Sequence, residues 1–242
     1  MSKIWIITKR ELDAYFNSLM AYLIYFIFLG ICGALTWLIV SNIFVEGRAS
    51  LDVFFSFGAF WSLFFVIPAI TMRSIAEENK AGTIELLTTK AVSDWEIIIG
   101  KFLAAFLLVC IALLCTVPYY ITISNLGNID DGAVVGGYLG LLLIAATYIA
   151  IGIFASSLTQ NQIVAFLIAI VVEVLLQFMF GWIAAGLKGG IGEVLIFLSV
   201  NDHYESIRRG VIDSRDLIFF FSLIALALFG THTMMSKRNW QS

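Results

Sequence analysis

An all-α integral membrane protein with six transmembrane helices is the fold class the sequence predicts, and three observations carry it. Residues of hydrophobic type make up 61% of the chain and charged ones only 13%, with a mean hydropathy of +0.98. A soluble domain of this size carries about a quarter charged residues, so this chain lacks the charge to cover a wet surface. Six apolar runs, 20–43, 53–72, 102–124, 133–157, 163–187 and 217–235, each approach or exceed the about 20 residues that cross a bilayer as a helix. The basic residues also divide unevenly between alternate loops, as they do around membrane spans.

The first element, within 1–19, is expected to be an interfacial helix. In "KIWIITKRELDAYFNSL" the residues Trp5, Leu12, Phe16 and Leu19 fall near one helical face, while Lys9, Arg10 and Asp13 can stay in water. Run 20–43 is longer than the ~7–15 apolar residues of a secretory signal, and no small-x-small site follows it, so it reads as a span. Runs 53–72 and 102–124 contain Pro68 and Pro118, which remove a backbone donor and are expected to kink their helices. With the N-terminus inside, the inner set of bases is Lys3, Lys9, Arg10, Arg73, Lys80, Lys90, Lys101, Lys237 and Arg238. The outer set is Arg48, Lys188, Arg208, Arg209 and Arg215, four of them in one long loop that the rule weights poorly. Both termini are therefore expected in the cytoplasm.

The segment 73–101 carries much of the charge. Its beginning, "RSIAEENKAG", is expected to continue the second helix until Gly82, which accepts positive φ at little cost and so suits a helix end. Thr83 can cap a short helix "IELLTT", in which Ile84 and Leu87 share a face. Ser93 with Glu96 makes an S-x-x-E capping box that opens the helix running into the third span.

Farther along, Gly136 and Gly140 in "GGYLG" allow a close helix approach, within the subunit or between subunits. Glu173 lies near the middle of the fifth run with Gln177 one turn on, so both share a face that should avoid lipid. That face is expected either to line a conduit or gate, or to fasten two helices through a neutral, hydrogen-bonded carboxyl. In the outer loop 188–216, Val200, Tyr204, Ile207 and Val211 repeat at helical spacing, with Glu205 in reach of Arg208 and Arg209. They predict an amphipathic outer helix resting on the membrane. No linker or composition break divides the chain, which is read as one domain, 1–242.

Catalysis within this polypeptide is not expected. Phosphate-binding, dinucleotide and zinc-protease motifs are absent, as is a G-x-S-x-G nucleophile turn. Cys32, Cys110 and Cys115 lie in apolar runs and make neither a disulfide framework nor a metal pattern. No catalytic or metal-ligating residue is assigned, no nucleic-acid partner is expected, and any energy source must be another chain.

The stretch "EENKAGTIELLTTKAVSDWEIIIGK" resembles the first cytoplasmic loop of ABC-2-type permeases, the membrane subunits of one class of ABC transporters. The residues carrying the resemblance are Glu77, Glu78, Gly82, Thr83, Glu85, Leu86, Leu87, Val92, Ser93, Gly100 and Lys101. Ala91 departs from it, since the family often has proline there. The resemblance implies that 73–101 is a coupling loop whose short helix docks into an ATPase subunit, with Ile84 among the contacts. It implies that 1–19 is the family's elbow helix and that 188–216 is its region before the last span. By size and detail the chain is most similar to the permease of the gliding-motility-associated ABC system of Bacteroidetes, with nitrous-oxide-reductase maturation permeases as the nearest rival. The implied partners are an ABC ATPase that binds ATP and Mg, a second permease subunit in a homo- or heterodimer, the lipid bilayer, and in some systems a periplasmic accessory protein. The implied location is the bacterial inner membrane, and the implied function is exporter-type transport. Two other readings stand beside it: a mechanotransmitting subunit that moves no solute, and an ion-coupled secondary transporter using Glu173.

Overall fold

The computed structural model describes residues 2–39, 50–82, 92–187 and 189–238. Among them the regular structure is all helix, and six helices are long and apolar enough to cross a membrane. These spans are Leu19–Leu38, Phe54–Ala81, Asp94–Leu126, Asp131–Ser157, Gln162–Ala184 and Ser214–Lys237; each overlaps its expected run, the second, third, fourth and sixth reaching beyond it at polar ends and the first and fifth ending sooner among the described residues.

The elements are α1 (Lys3–Phe16), α2 (Leu19–Ala34), α3 (Ala59–Thr71), α4 (Ala76–Ala81), α5 (Asp94–Leu114) and α6 (Val117–Leu126). After them come α7 (Asp131–Ser157), α8 (Gln162–Val174), α9 (Phe180–Gly186), α10 (Gly190–Phe197), α11 (Val200–Arg208) and α12 (Ser214–Arg238). Wide π-helical turns extend α2 at Leu35–Ile39, precede α3 at Phe54–Gly58 and join α8 to α9 at Leu175–Met179.

Helix α7 is the axis of the bundle. Its span is 78% buried, against 22% for the fifth and sixth spans, and α3, α5, α8, α11 and α12 all pack on it. Small residues make this possible. A Cβ on Gly137 would stand 2.7 Å from the Phe55 ring, and one on Gly152 would overlap the Thr71 hydroxyl. Gly136 and Gly140, whose spacing allowed either packing within the chain or contact between subunits, pack within it, against α11.

The two prolines behave differently. Pro68 sits inside α3, whereas Pro118 stands in the first turn of α6, where its missing N–H costs nothing. The third span is thus not one kinked helix but two, meeting at Cys115–Thr116, where the Thr116 hydroxyl donates to Leu113 O at 2.6 Å. Helix α1 lies on α5 through the buried Ile7 and Thr8, close enough that a Cβ on Gly100 would meet Ile7 at 2.7 Å. Trp5 and Ile6 on α1 stay exposed, an apolar surface suited to a bilayer interface.

The loop 188–216 differs from the single helix expected. It holds two, α10 and α11, and Val211 lies beyond the end of α11. The apolar face of α11 is not laid on lipid: Val200, Tyr204 and Ile207 are buried against α7. Helix α10 is the one with exposed apolar side chains, Ile191, Val194 and Ile196. Its signal, "GIGEVLIF", was readable as a short apolar helix following glycines.

Candidate functional site

The sequence-predicted polar segment begins where the second span breaks. Helix α3 ends at Thr71, the chain turns through 72–75, and α4 carries it to Gly82. Four donors at the start of any helix lack partners within it. Here a side chain from the central helix supplies an acceptor: Ser156 Oγ accepts from Ile75 N at 3.0 Å and Ala76 N at 2.9 Å, and donates to Met72 O at 3.0 Å. This serine, missed in the sequence, fixes the break to α7. Gly82 has φ 67°, the left-handed helix end expected of it. Beyond it, the expected short helix and its residues Thr83, Ile84, Glu85, Leu86 and Leu87 lie outside the described residues.

The chain resumes at the expected capping box. Ser93 Oγ accepts from Glu96 N at 3.3 Å, and Glu96 Oε2 accepts from Ser93 N at 2.8 Å, so α5 starts sharply. One turn and a half later, Lys101 points back across the break. Its ammonium, with a side chain only 2% exposed, lies 2.8 Å from Glu78 Oε1 and 3.3 Å from Glu11 Oε1. Arg10 joins the same carboxylates, beside Glu11 and 3.6 Å from Glu78. Three helices, α1, α4 and α5, therefore meet on one buried cation. Burial alone would raise the Glu11 carboxyl, but Lys101 and Arg10 outweigh it and hold Glu11 below the usual carboxylate range. Glu77, one residue from Glu78, is exposed.

Beside this network a cleft of about 240 Å³ opens between α1 and the break, lined by Glu11, Tyr15, Ser18, Arg73, Glu77 and Lys101 among others. Burial pushes the Tyr15 phenol far above its ordinary value; its hydroxyl donates to Ile70 O at 3.3 Å. Of the sequence-predicted residues the structure joins Lys101 to Glu78 and places Gly82 at the left-handed end of α4. Glu11 was missed because its partner Lys101 is distant in sequence, and Arg10 and Arg73 were read there only as inner-loop bases.

Within the bundle, Ala165, Ala169, Glu173 and Gln177 form one buried stripe on α8 facing α7. Glu173 and Gln177 do share a face, and it meets protein rather than lipid. Gln177 accepts from the Tyr148 hydroxyl at 2.9 Å and donates to Asn201 Oδ1 on α11 at 3.2 Å. Neither oxygen of Glu173 makes a hydrogen bond among the described residues. Fastening, one of the two alternatives expected for Glu173, is done by Gln177 among the described residues.

At the opposite end, Tyr204 stacks on Phe60 and donates to Phe55 O at 2.8 Å. Arg208 bonds Glu205 at 2.8 Å and reaches Asp52 at 3.3 Å, while Arg209 stands 3.9 Å from Glu205. Burial would lower Arg208, but the bond to Glu205 and its charge outweigh it and hold the guanidinium above its ordinary value. His203 and Asp216 were not singled out in the sequence. His203 Nδ1 meets Asp216 Oδ1 at 2.6 Å, Nε2 bonds Phe197 O at 2.9 Å, and the ring stacks on Phe219. That pair ties α10 and α11 to the last span.

These features have one arrangement: six spans with a small-residue helix among them as axis, and a polar segment presented from a fixed break at one end. Comparison with curated proteins finds no match. A family model described as ABC-2 family transporter protein matches residues 9–228. The match takes in five whole spans, the sixth as far as residue 228, the break and the charged network, and the chain belongs to the ABC-2 transporter family, as a membrane permease component of an ABC transporter.

Proposed function

We propose that this chain is the permease subunit of an exporter-type transporter driven by a separate ATPase, and that 73–101 is where the drive enters. The observation that supports this most is the mounting of that segment. On one side it leaves a helix pinned by Ser156 and ended by a left-handed Gly82; on the other it returns through a complete capping box. Lys101 ties both flanks together through Glu78. A force applied to 83–91 is passed to α3, α5 and α7 rather than absorbed by slack chain. Glu77, Glu78, Gly82, Thr83, Ile84, Glu85, Leu86, Leu87, Ser93 and Lys101 are the residues proposed for coupling. ATP and Mg are bound by the partner.

The working unit in this proposal holds two permease subunits and two ATPases in a bacterial inner membrane, with both termini cytoplasmic. The gliding-motility-associated subfamily is proposed on sequence resemblance alone. The test is retention of the ATPase. Leu87→Asp would set a charge against an apolar groove, and Gly82→Pro forbids the observed positive φ. Both should insert normally and lose the ATPase, or keep it with hydrolysis uncoupled. Normal retention and normal coupled activity in Leu87→Asp would defeat the assignment.

Glu173, buried and without a hydrogen-bond partner among the described residues, favours a second reading in which an intramembrane carboxyl takes part in ion-coupled transport. Glu173→Gln decides it: transport lost with assembly intact supports that role, and wild-type behaviour in both removes it.

A further inference from the structure

We propose that the cleft between α1 and the α3–α4 break binds the headgroup of a zwitterionic aminophospholipid, with its phosphate on Arg73 and its ammonium on Glu77. The argument begins with charge accounting. Of the ionised groups around the cleft, Lys101 is matched by Glu78 and Glu11, and Arg10 by the same two carboxylates. That leaves Arg73 and Glu77. Among the described residues Arg73 makes no ion pair or side-chain hydrogen bond, and its Nε is buried without a partner. Glu77 is exposed and likewise forms no ion pair. The cleft therefore offers one unmatched cation and one unmatched anion.

That pattern selects the ligand. A free phosphate on Arg73 would leave the unmatched Glu77 carboxylate beside it with no cation of its own, since Lys101 and Arg10 already serve Glu11 and Glu78. A simple cation at Glu77 would meet Arg73, Lys101 and Arg10. A phosphodiester with an attached ammonium satisfies both ends at once, and a guanidinium is the side chain best shaped for phosphate oxygens. At about 240 Å³ the cleft has room for such a group, several times the ~30 Å³ share of a water molecule.

The surroundings point to a lipid as the source of the headgroup. Ser18, on the cleft wall, is followed at once by the first span. That span begins with Leu19 at 84% exposed, Tyr22 at 59% and Phe26 at 81%, an apolar stripe starting beside the cleft. Acyl chains can lie along it while the headgroup turns inward. The proposal shares Glu77 and Lys101 with the proposed coupling segment, but lipid retention is read on the permease alone, so its failure leaves the ATPase-coupling reading standing.

The full-length chain, purified in detergent and delipidated, supplies the test. Native mass spectrometry would measure retention of short-chain phosphatidylethanolamine and of phosphatidylglycerol with the same chains. The wild type should retain the ethanolamine lipid about tenfold better than the glycerol lipid. Arg73→Gln should lower that retention about tenfold. Glu77→Gln, at an exposed position that folding tolerates, should erase the preference by admitting the glycerol lipid, a change that misfolding would not produce. Equal retention of the two lipids by the wild type, or undiminished ethanolamine-lipid retention in Arg73→Gln, would overturn the proposal. So would inorganic phosphate displacing the lipid and raising the unfolding temperature as much, since the anion would then come from solution.

Discussion

At the end of the bundle carrying α1, helices are joined by charged side chains around an open cleft; at the opposite end, α11 is pressed directly onto glycines of α7. The first junction adds to the close contact of Ile7 with Gly100 the ion pairs of Lys101 with Glu78 and Glu11, at 2.8–3.3 Å, whose carboxylates are partly open to water. The second rests on contacts with no slack, because a Cβ on Gly136 would stand 2.4 Å from Ile207 O and one on Gly140 2.9 Å from the Tyr204 ring. Close packing resists displacement, since interiors have few voids to yield into. Ion pairs with partly wetted partners tolerate small shifts. The difference fits the proposed entry of drive at 73–101: the end that carries this segment is the more yielding, and the α11 end the more rigid.

The largest effect that would test this contrast lies in the close-packed end. Gly136→Ala puts a methyl into backbone that cannot rotate away, at Ile207 O and Gly210 Cα. Overpacking costs typically 1–3 kcal/mol, and a backbone obstacle places this variant at about 3 kcal/mol. Thermal unfolding in detergent should show it, together with loss of α11 protection in hydrogen exchange. A variant as stable as wild type would mean that α11 is free to move, and the contrast would fail.

Next is Lys101→Met, which keeps the packing of the stem and removes the shared cation. Stranding a fully buried partner costs about 3–5 kcal/mol. Glu78 and Glu11 retain side-chain exposures of 18% each, so water offsets part of that and about 2 kcal/mol is expected. The loss should be accompanied by faster exchange in α1 and α4 and not in α11. Equal loosening at both ends would show that the two junctions are one cooperative unit.

The two junctions also differ in how far the sequence revealed them. Local chemistry was legible: the Ser93–Glu96 box and the Gly82 helix end involve residues within one turn, and both stand as expected. The helical spacing of Val200, Tyr204 and Ile207 correctly marked a buried face, but spacing cannot tell protein from lipid, and the face meets α7. Lys101 pairs with residues 23 and 90 positions away, and no periodicity encodes such a meeting. Ser156 reads as an ordinary small residue at a helix end until the break it caps is brought beside it. Glu173 and Gln177 were rightly placed on one face, yet their division of labour depends on Tyr148 and Asn201, both remote in sequence.

Ser156→Ala tests how the drive-side junction is anchored to the axis. The variant leaves the amides of Ile75 and Ala76 without their side-chain acceptor in a buried place. A stranded buried donor costs about 1–3 kcal/mol; two amides at a break that can relax suggest about 1–2 kcal/mol in all. Exchange at Ile75 and Ala76 should accelerate while that of α3 proper holds. Unchanged protection at both amides would remove Ser156 from the mounting described above.

The smallest effect is a pH dependence confined to the charged end. Glu11 is held below its ordinary value of 4.5 in the folded chain, so the folded state binds fewer protons there than the unfolded state. Its contribution to stability is fully present above that ordinary value and is lost as pH falls through the lower folded value. In Glu11→Gln this part of the acid loss should vanish, and unfolding curves of variant and wild type should converge as pH drops below about 4. Gly136→Ala, acting at the other end, should keep the wild-type acid dependence, displaced to lower stability throughout. Parallel curves for Glu11→Gln and the wild type down through that range would show that Lys101 and Arg10 do not hold Glu11 as the geometry requires. The charged junction would then be a set of independent surface pairs rather than a shared network.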